Sequence, residues 1–131
     1  MKTVTFTMNG QKYGLYYNGA AMFEIQDLLG DISAIFDVVR GRSKEKFQKL
    51  CQLIEIMSVQ YACAMQHLGS GSYPVLRADY VQSVAAMRDI EILQNAVIEA
   101  VNCGLAQEEA DENREIDLGL IEFQKKTDSP K

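Results

Sequence analysis

Polar and apolar residues alternate at the start of the chain, where Val4, Phe6 and Met8 are interleaved with Thr3, Thr5 and Thr7. A period of two marks a half-buried strand. Asn9-Gly10 follows, the pair best suited to the two positive-φ positions of a type I′ turn, and Gln11 to Tyr17 supplies a return strand. A two-residue loop places Phe6 opposite Tyr13 and Val4 opposite Leu15, so that apolar groups meet on one face. A hairpin alone is marginal in water, and this face is expected to lie on helices.

Beyond the hairpin the period becomes helical. Met22, Ile25, Leu28 and Leu29 make an apolar stripe, and Gly30 is placed to end it. Asp31 is a candidate cap for a second, short helix whose Ile32, Ile35, Phe36 and Val39 follow the i, i+3, i+4, i+7 pattern. Gly41 breaks that run. Ser43 is placed to cap the longest helix, from Lys44 to Leu68, whose stripe is Phe47, Leu50, Cys51, Ile54, Met57, Tyr61, Ala64, Met65 and Leu68. Gly69-Ser70-Gly71 and Pro74 read as a loop. Leu76 and Val81 are spaced as a hydrophobic staple around a helix starting near Ala78. Asp89 either caps the next helix or lies within a continuous one; Ile90, Leu93, Val97, Ala100 and Val101 form its stripe, and Gly104 is expected to close it. The pattern predicts a mainly α fold, an N-terminal β-hairpin packed on a bundle of about five helices, with no internal repeat.

Composition sets bounds on this picture. With 131 residues, 47% of them hydrophobic, one domain can bury a core without disulfides or metal. No apolar run approaches the roughly 20 residues of a membrane-spanning helix, and Met1 to Met8 has no continuous apolar signal region. No membrane association is expected, and the cytosol is. Cys51, Cys63 and Cys103 are an odd number, widely spaced, each in an apolar helical context, which reads as reduced core cysteine. The formal charge is -5 and the pI about 4.8. Arg40, Arg42, Lys44, Lys46 and Lys49 are the densest cations and carry no interleaved aromatic ladder, so nucleic acid is not an expected partner.

After Leu105 the composition shifts, dividing the chain into a hairpin-plus-helical domain (1–105) and an acidic C-terminal tail (106–131). Glu108, Glu109, Asp111, Glu112, Glu115 and Asp117 face Arg114 alone, a local net charge equal to that of the whole chain. Disorder is the default expectation for Ala106 to Asp117. Solvation does not account for the apolar cluster beyond it: Ile116, Leu118, Leu120, Ile121 and Phe123 are candidate partner-docking residues, and the same cluster suits packing back on its own domain. Lys125 to Lys131 closes with polar residues.

No motif assembles chemistry. Cys63 and His67, one helical turn apart, could face one metal ion, but no second ligand pair exists; Cys63 lies off the main stripe and need not be deeply buried, and a helix cysteine beside a solvated or capping histidine is the stronger reading. The same pair lacks the cleft and the orienting group of a nucleophile–base couple. Paired carboxylates stand only in the tail. Gly69-Ser70-Gly71 lacks the GxxxxGK[ST] context of a phosphate cradle, and Asp111-Glu112-Asn113 lacks the turn glycine of a calcium loop. Neither a catalytic residue nor a cofactor or metal is expected.

The order of the N-terminal signals is informative as a set. A strand, the Asn9-Gly10 turn, a second strand with Tyr13 and Leu15, then Asn18-Gly-Ala-Ala and Met22-Phe-Glu-Ile-Gln-Asp-Leu-Leu-Gly30, with Ile32 and Ile35 behind, resembles the phage tail assembly chaperones. That family begins with a hairpin around an "NGKEY"-like turn and continues with a helix of the type "ALxEIEDxxG". The match runs from about Val4 to Val39, with Asn9-Gly10, Tyr13, Glu24 and Gly30 fitting; Gly14 and Arg77 depart from it. The resemblance implies a non-enzymatic protein of the host bacterial cytoplasm, made from a phage or prophage and absent from the mature virion. Its implied partners are the tape measure protein, the major tail tube protein, or both, held soluble before the tail polymerises; such families often add a frameshifted longer form. The alternative is a small helical regulator or adaptor with no role in tails, a homo-oligomer that dimerises through the Phe47 to Met65 stripe of its long helix.

Overall fold

The change of period along the chain becomes, in space, a hairpin laid on helices. A computed structural model describes residues 3–69 and 71–112, with side chains as far as Ala106. Strands β1 (Val4–Met8) and β2 (Gln11–Leu15) pair antiparallel with Val4 opposite Leu15 and Phe6 opposite Tyr13, the expected register. Asn9 and Gly10 have φ of 53° and 79°, the two positive values that a type I′ turn requires. Strand β1 alternates in burial, but β2 does not: Tyr13, Gly14 and Leu15 are all buried, because helices cover both of its faces.

Helix α1 (Gly19–Leu29) starts where the Asn18 side chain accepts a hydrogen bond from the Ala21 amide at 2.9 Å. It stops at Gly30, whose φ of 85° suits glycine and whose N–H donates to the Gln26 carbonyl at 2.7 Å. Asp31 does not cap the next helix directly. Its carboxylate accepts from the Ser33 amide at 3.1 Å, tightening a turn, and α2 (Ala34–Arg40) begins only after it. Ser43 caps α3 (Lys44–His67) as expected, its hydroxyl accepting from the Lys46 amide at 3.2 Å.

Helix α3 is the central element, packed against β2, α1, α2, α4 and α5. Its stripe from Leu50 to Tyr61 is buried, with Leu53 and Ser58 added; Leu68, expected in the same stripe, is 65% exposed because it caps the helix where the chain leaves the core. Helix α4 (Ala78–Val84) follows Leu76, and the staple pair Leu76 and Val81 is fully buried. The chain then breaks at Ala85 and Ala86. Asp89 answers the choice left by its sequence: it stands in the first turn of α5 (Met87–Glu112) and reaches back to accept from the Ala86 amide at 2.9 Å.

The expected end of α5 at Gly104 is corrected. The helix runs through Gly104 and on to Glu112. Gly104 is there for close approach: a Cβ at that position would stand 2.5 Å from the Tyr17 carbonyl oxygen. Helix therefore also covers 106–112, the described part of the stretch for which disorder was the default expectation; 113–117 lie outside the described residues. Leu105, Ala106, Gln107, Glu108, Glu109 and Ala110 are all good helix formers, so a helix already nucleated on the core can propagate through them.

Candidate functional site

The middle of α3 organises everything that meets the surface nearby. Gly14 of β2 presents its backbone to the ring of Tyr61, whose other neighbour is Tyr73, an edge-on ring at 5.3 Å. The Tyr16 amide donates to the Met57 carbonyl at 3.1 Å, and Asn18 Nδ2 donates to Gln60 Oε1 at 3.2 Å, so the chain leaving β2 is pinned along one side of α3. The incoming chain of α4 is pinned on the same helix. Ser58 Oγ, fully buried, accepts from the Leu76 amide at 2.9 Å. One turn earlier, Glu55 Oε1 accepts from the Ala78 amide at 2.7 Å. Arg77, the residue at the cap position of α4, contributes no side-chain cap; Glu55 supplies it from another helix.

These anchors hold α1 and α4 beside α3 with an open cleft of about 400 Å³ between them. Glu24 and Asp27 line it from α1 and Glu55 from α3, over a floor that includes Leu28, Ile56 and Ala78. Glu24 and Asp27 are exposed; Leu28, Glu55 and Ile56 are half-buried. The expectation that grouped carboxylates stand only in the tail is therefore corrected. Glu24 and Asp27 are one turn apart on the polar face of α1, which is legible in sequence, but only the packing of α1 on α3 brings Glu55 to them. Phe23, next in α1, is 63% exposed, and Met87 and Ile92 of α5 are 87% and 49% exposed.

Among the described residues, burial alters titration at three side chains. The Cys51 thiol, inside the core, is pushed up to about 11 from an ordinary value near 9. Burial also raises Tyr13, helped by its hydrogen bond to Tyr80 and by that neighbour's charge. Tyr61 is raised by burial and then by the charge of Tyr73.

The sequence candidates fall out as follows. All three cysteines are free; Cys51 is a core residue, Cys103 is half-buried, and Cys63, off the buried stripe of α3, is exposed, so the core reading of the three holds fully for Cys51 alone. His67 is exposed on the same helix, and no group of three or more metal-ligating side chains occurs among the described residues. Gly69 and Gly71 have φ of 73° and 107°, as loop glycines do. The α3 stripe offered as a dimer surface is packed inside a single chain, with Leu50, Cys51, Ile54 and Met57 at or below 1% exposure. No described helix is long and apolar enough to cross a membrane. The docking candidates Ile116, Leu118, Leu120, Ile121 and Phe123 lie outside the described residues. No protein-family model, curated protein or solved structure matches the chain.

Proposed function

We propose that this chain is a phage tail assembly chaperone, which binds the tape measure protein, the tail tube protein, or both, in the host cytoplasm and keeps it soluble until the tail polymerises. The reading rests first on the ordered signals from Val4 to Val39. The observation that supports it most directly is the surface around α1, where exposed Phe23 neighbours the carboxylates of an apolar-floored cleft.

A tape measure protein is long and helical, and before the tube encloses it, it exposes apolar stripes flanked by charge. A cleft that offers both apolar floor and carboxylates suits a helix carrying apolar residues beside Lys or Arg. The negative charge of the chain would keep such a complex soluble and draw basic partners toward it. Function here is reversible holding, without a reaction or a cofactor.

The test is co-expression with the neighbouring tail genes, affinity recovery of the full chain, and identification of what comes with it. Recovery of tape measure or tube protein, lost on Phe23→Glu with Glu24→Lys, is the expected result. Recovery of neither tail protein with the wild-type chain overturns the proposal.

A further inference from the structure

Helix α4 (Ala78–Val84) has seven residues, and a helix shorter than about 12–15 residues is marginal in water unless something holds it. What holds it is chiefly α3. Leu76 and Val81 are fully buried and Ala78 and Val84 half-buried, whereas Asp79, Tyr80, Gln82 and Ser83 are exposed. Among the described residues, no backbone-to-backbone hydrogen bond ties residues 71–85 to another element. The ties run through side chains. Ser58 bonds the amide and the carbonyl of Leu76, Glu55 accepts from the Ala78 amide, and Tyr80 pairs with Tyr13 of β2.

Both borders of this segment close on themselves. Helix α3 ends with the Leu68 amide donating to the Ala64 carbonyl at 3.0 Å and the Gly69 amide to the Gln66 carbonyl at 3.1 Å. Helix α5 begins with the Ala86 amide donating to Asp89 Oδ2 and the Asp89 amide to the Ala86 carbonyl, each at 2.9 Å. Neither end needs α4. At Gly69 and Gly71 a Cβ would meet nothing within 4 Å, so no packing has to break for the chain to pivot there. Ala85, with ψ of 123°, is the break on the other side. The polar groups of α3 also tolerate the loss of α4. Ser58 Oγ keeps a bond to the Glu55 carbonyl at 3.1 Å, and Glu55 already borders the open cleft, where water can reach it.

We propose that residues 71–85 are a strap that lifts from α3 as one unit while α1, α3 and α5 stay folded, and that α4 occludes a helix-binding groove on the Glu55–Ser58 side of α3. A segment with few buried apolar groups and closed borders is one that opens before the whole domain does. The groove suits an amphipathic helix, because one already sits in it. Ala78 lines the α1–α3–α4 cleft, so lifting α4 joins that cleft to the vacated groove. A partner helix competes with a tethered one, and binds more tightly as the strap loosens. The competition rests on the holding function proposed above; the opening of the free chain does not.

Native-state hydrogen exchange of the full chain, in urea below the unfolding transition, tests the opening without a partner. The amides of residues 81–85 should share one protection, at least about 100-fold below that of Leu53, Ile54 and Met57 in α3, and depend less on urea. Tyr80→Phe removes the tie to β2 from the exposed side of α4, and should lower that protection several-fold further with α3 and α5 unchanged. Protection of residues 81–85 within about threefold of the α3 core, or an opening shared by Leu93 and Val97 of α5, overturns the proposal. In co-expression with the tail genes, Tyr80→Phe should recover several-fold more tail protein than the wild type. Equal or lower recovery overturns the competition. Recovery of none by either chain overturns it together with the holding function, while the exchange result still decides the strap.

Discussion

The ring of Tyr61 on α3 lies against the backbone of Gly14 on β2, so closely that a methyl group at 14 would stand 2.5 Å from Tyr61 Cδ2. A strand residue whose outward face should be wet is thereby sealed by a helix. Gly14→Ala must push the ring or the strand aside, and is expected to cost about 1–3 kcal/mol of unfolding free energy. In a Tyr61→Ala background, itself destabilised, most of that extra cost should vanish. A double-mutant cycle by urea denaturation measures the coupling, and additive effects would mean that the two residues do not meet.

Gly104 makes a sharper case, because the obstacle is main chain. Alanine is ordinarily favoured over glycine inside a helix by about 1 kcal/mol. At 104 the new Cβ would meet the Tyr17 carbonyl oxygen at 2.5 Å. Gly104→Ala should therefore lower the melting temperature. Gly19→Ala, where a Cβ meets nothing within 4 Å, should leave it unchanged or raise it. Equal behaviour at the two sites would contradict the packing of α5 on the β2–α1 connection.

Ser58 and Glu55 together hold the entrance of α4. Ser58→Ala leaves the buried Leu76 amide without its acceptor and is expected to cost about 1–3 kcal/mol. Glu55→Ala removes a cap worth about 1 kcal/mol, while Glu55→Gln, which keeps an acceptor for the Ala78 amide, should cost less. Hydrogen exchange at Leu76 and Ala78 should quicken in both alanine variants, with the amides at the start of α1 unaffected.

The cysteines should separate by accessibility. A thiol-specific reagent at neutral pH is expected to modify Cys63 first and Cys103 more slowly, with Cys51 reacting only on unfolding. Intact-mass spectra against time would show a single fast addition. A fast second addition mapped to Cys51 would contradict its place in the core.

The raised thiol has a signed consequence for stability. Below about pH 9, Cys51 is neutral both folded and unfolded, and its burial contributes fully. Between about 9 and 11 the unfolded chain releases the proton while the folded chain retains it, so stability falls across that window. Tyr13 and Tyr61, also raised, act in the same direction at higher pH. Cys51→Ala should flatten the decline between 9 and 11, although its cavity lowers stability at every pH.

What could be read from sequence was what short-range pattern determines. The hairpin register followed from Asn9-Gly10 and the alternation of Val4 and Phe6, and α3 from its cap Ser43 and its long stripe. The structure departs where a distant neighbour decides. Gly104 looked like a helix stop because glycine usually is one, and nothing local announces that Tyr17 will lie against it. Asp31 looked like a cap, since a turn that uses the same carboxylate differs only in where the next helix begins. The cleft was half visible: Glu24 and Asp27 share a face by spacing, but Glu55, twenty-eight residues beyond Asp27, joins them only through tertiary packing.

The anchoring of β2 on Met57 and Tyr61 also places a delay in the making of the protein. The hairpin is complete once residue 15 has been added, yet the helix that covers its second face is not synthesised until Tyr61, forty-six residues later. At about 5–20 residues per second, that interval is about 2–9 s. For those seconds each nascent chain carries the hairpin segment, marginal on its own, with its helical cover still unmade.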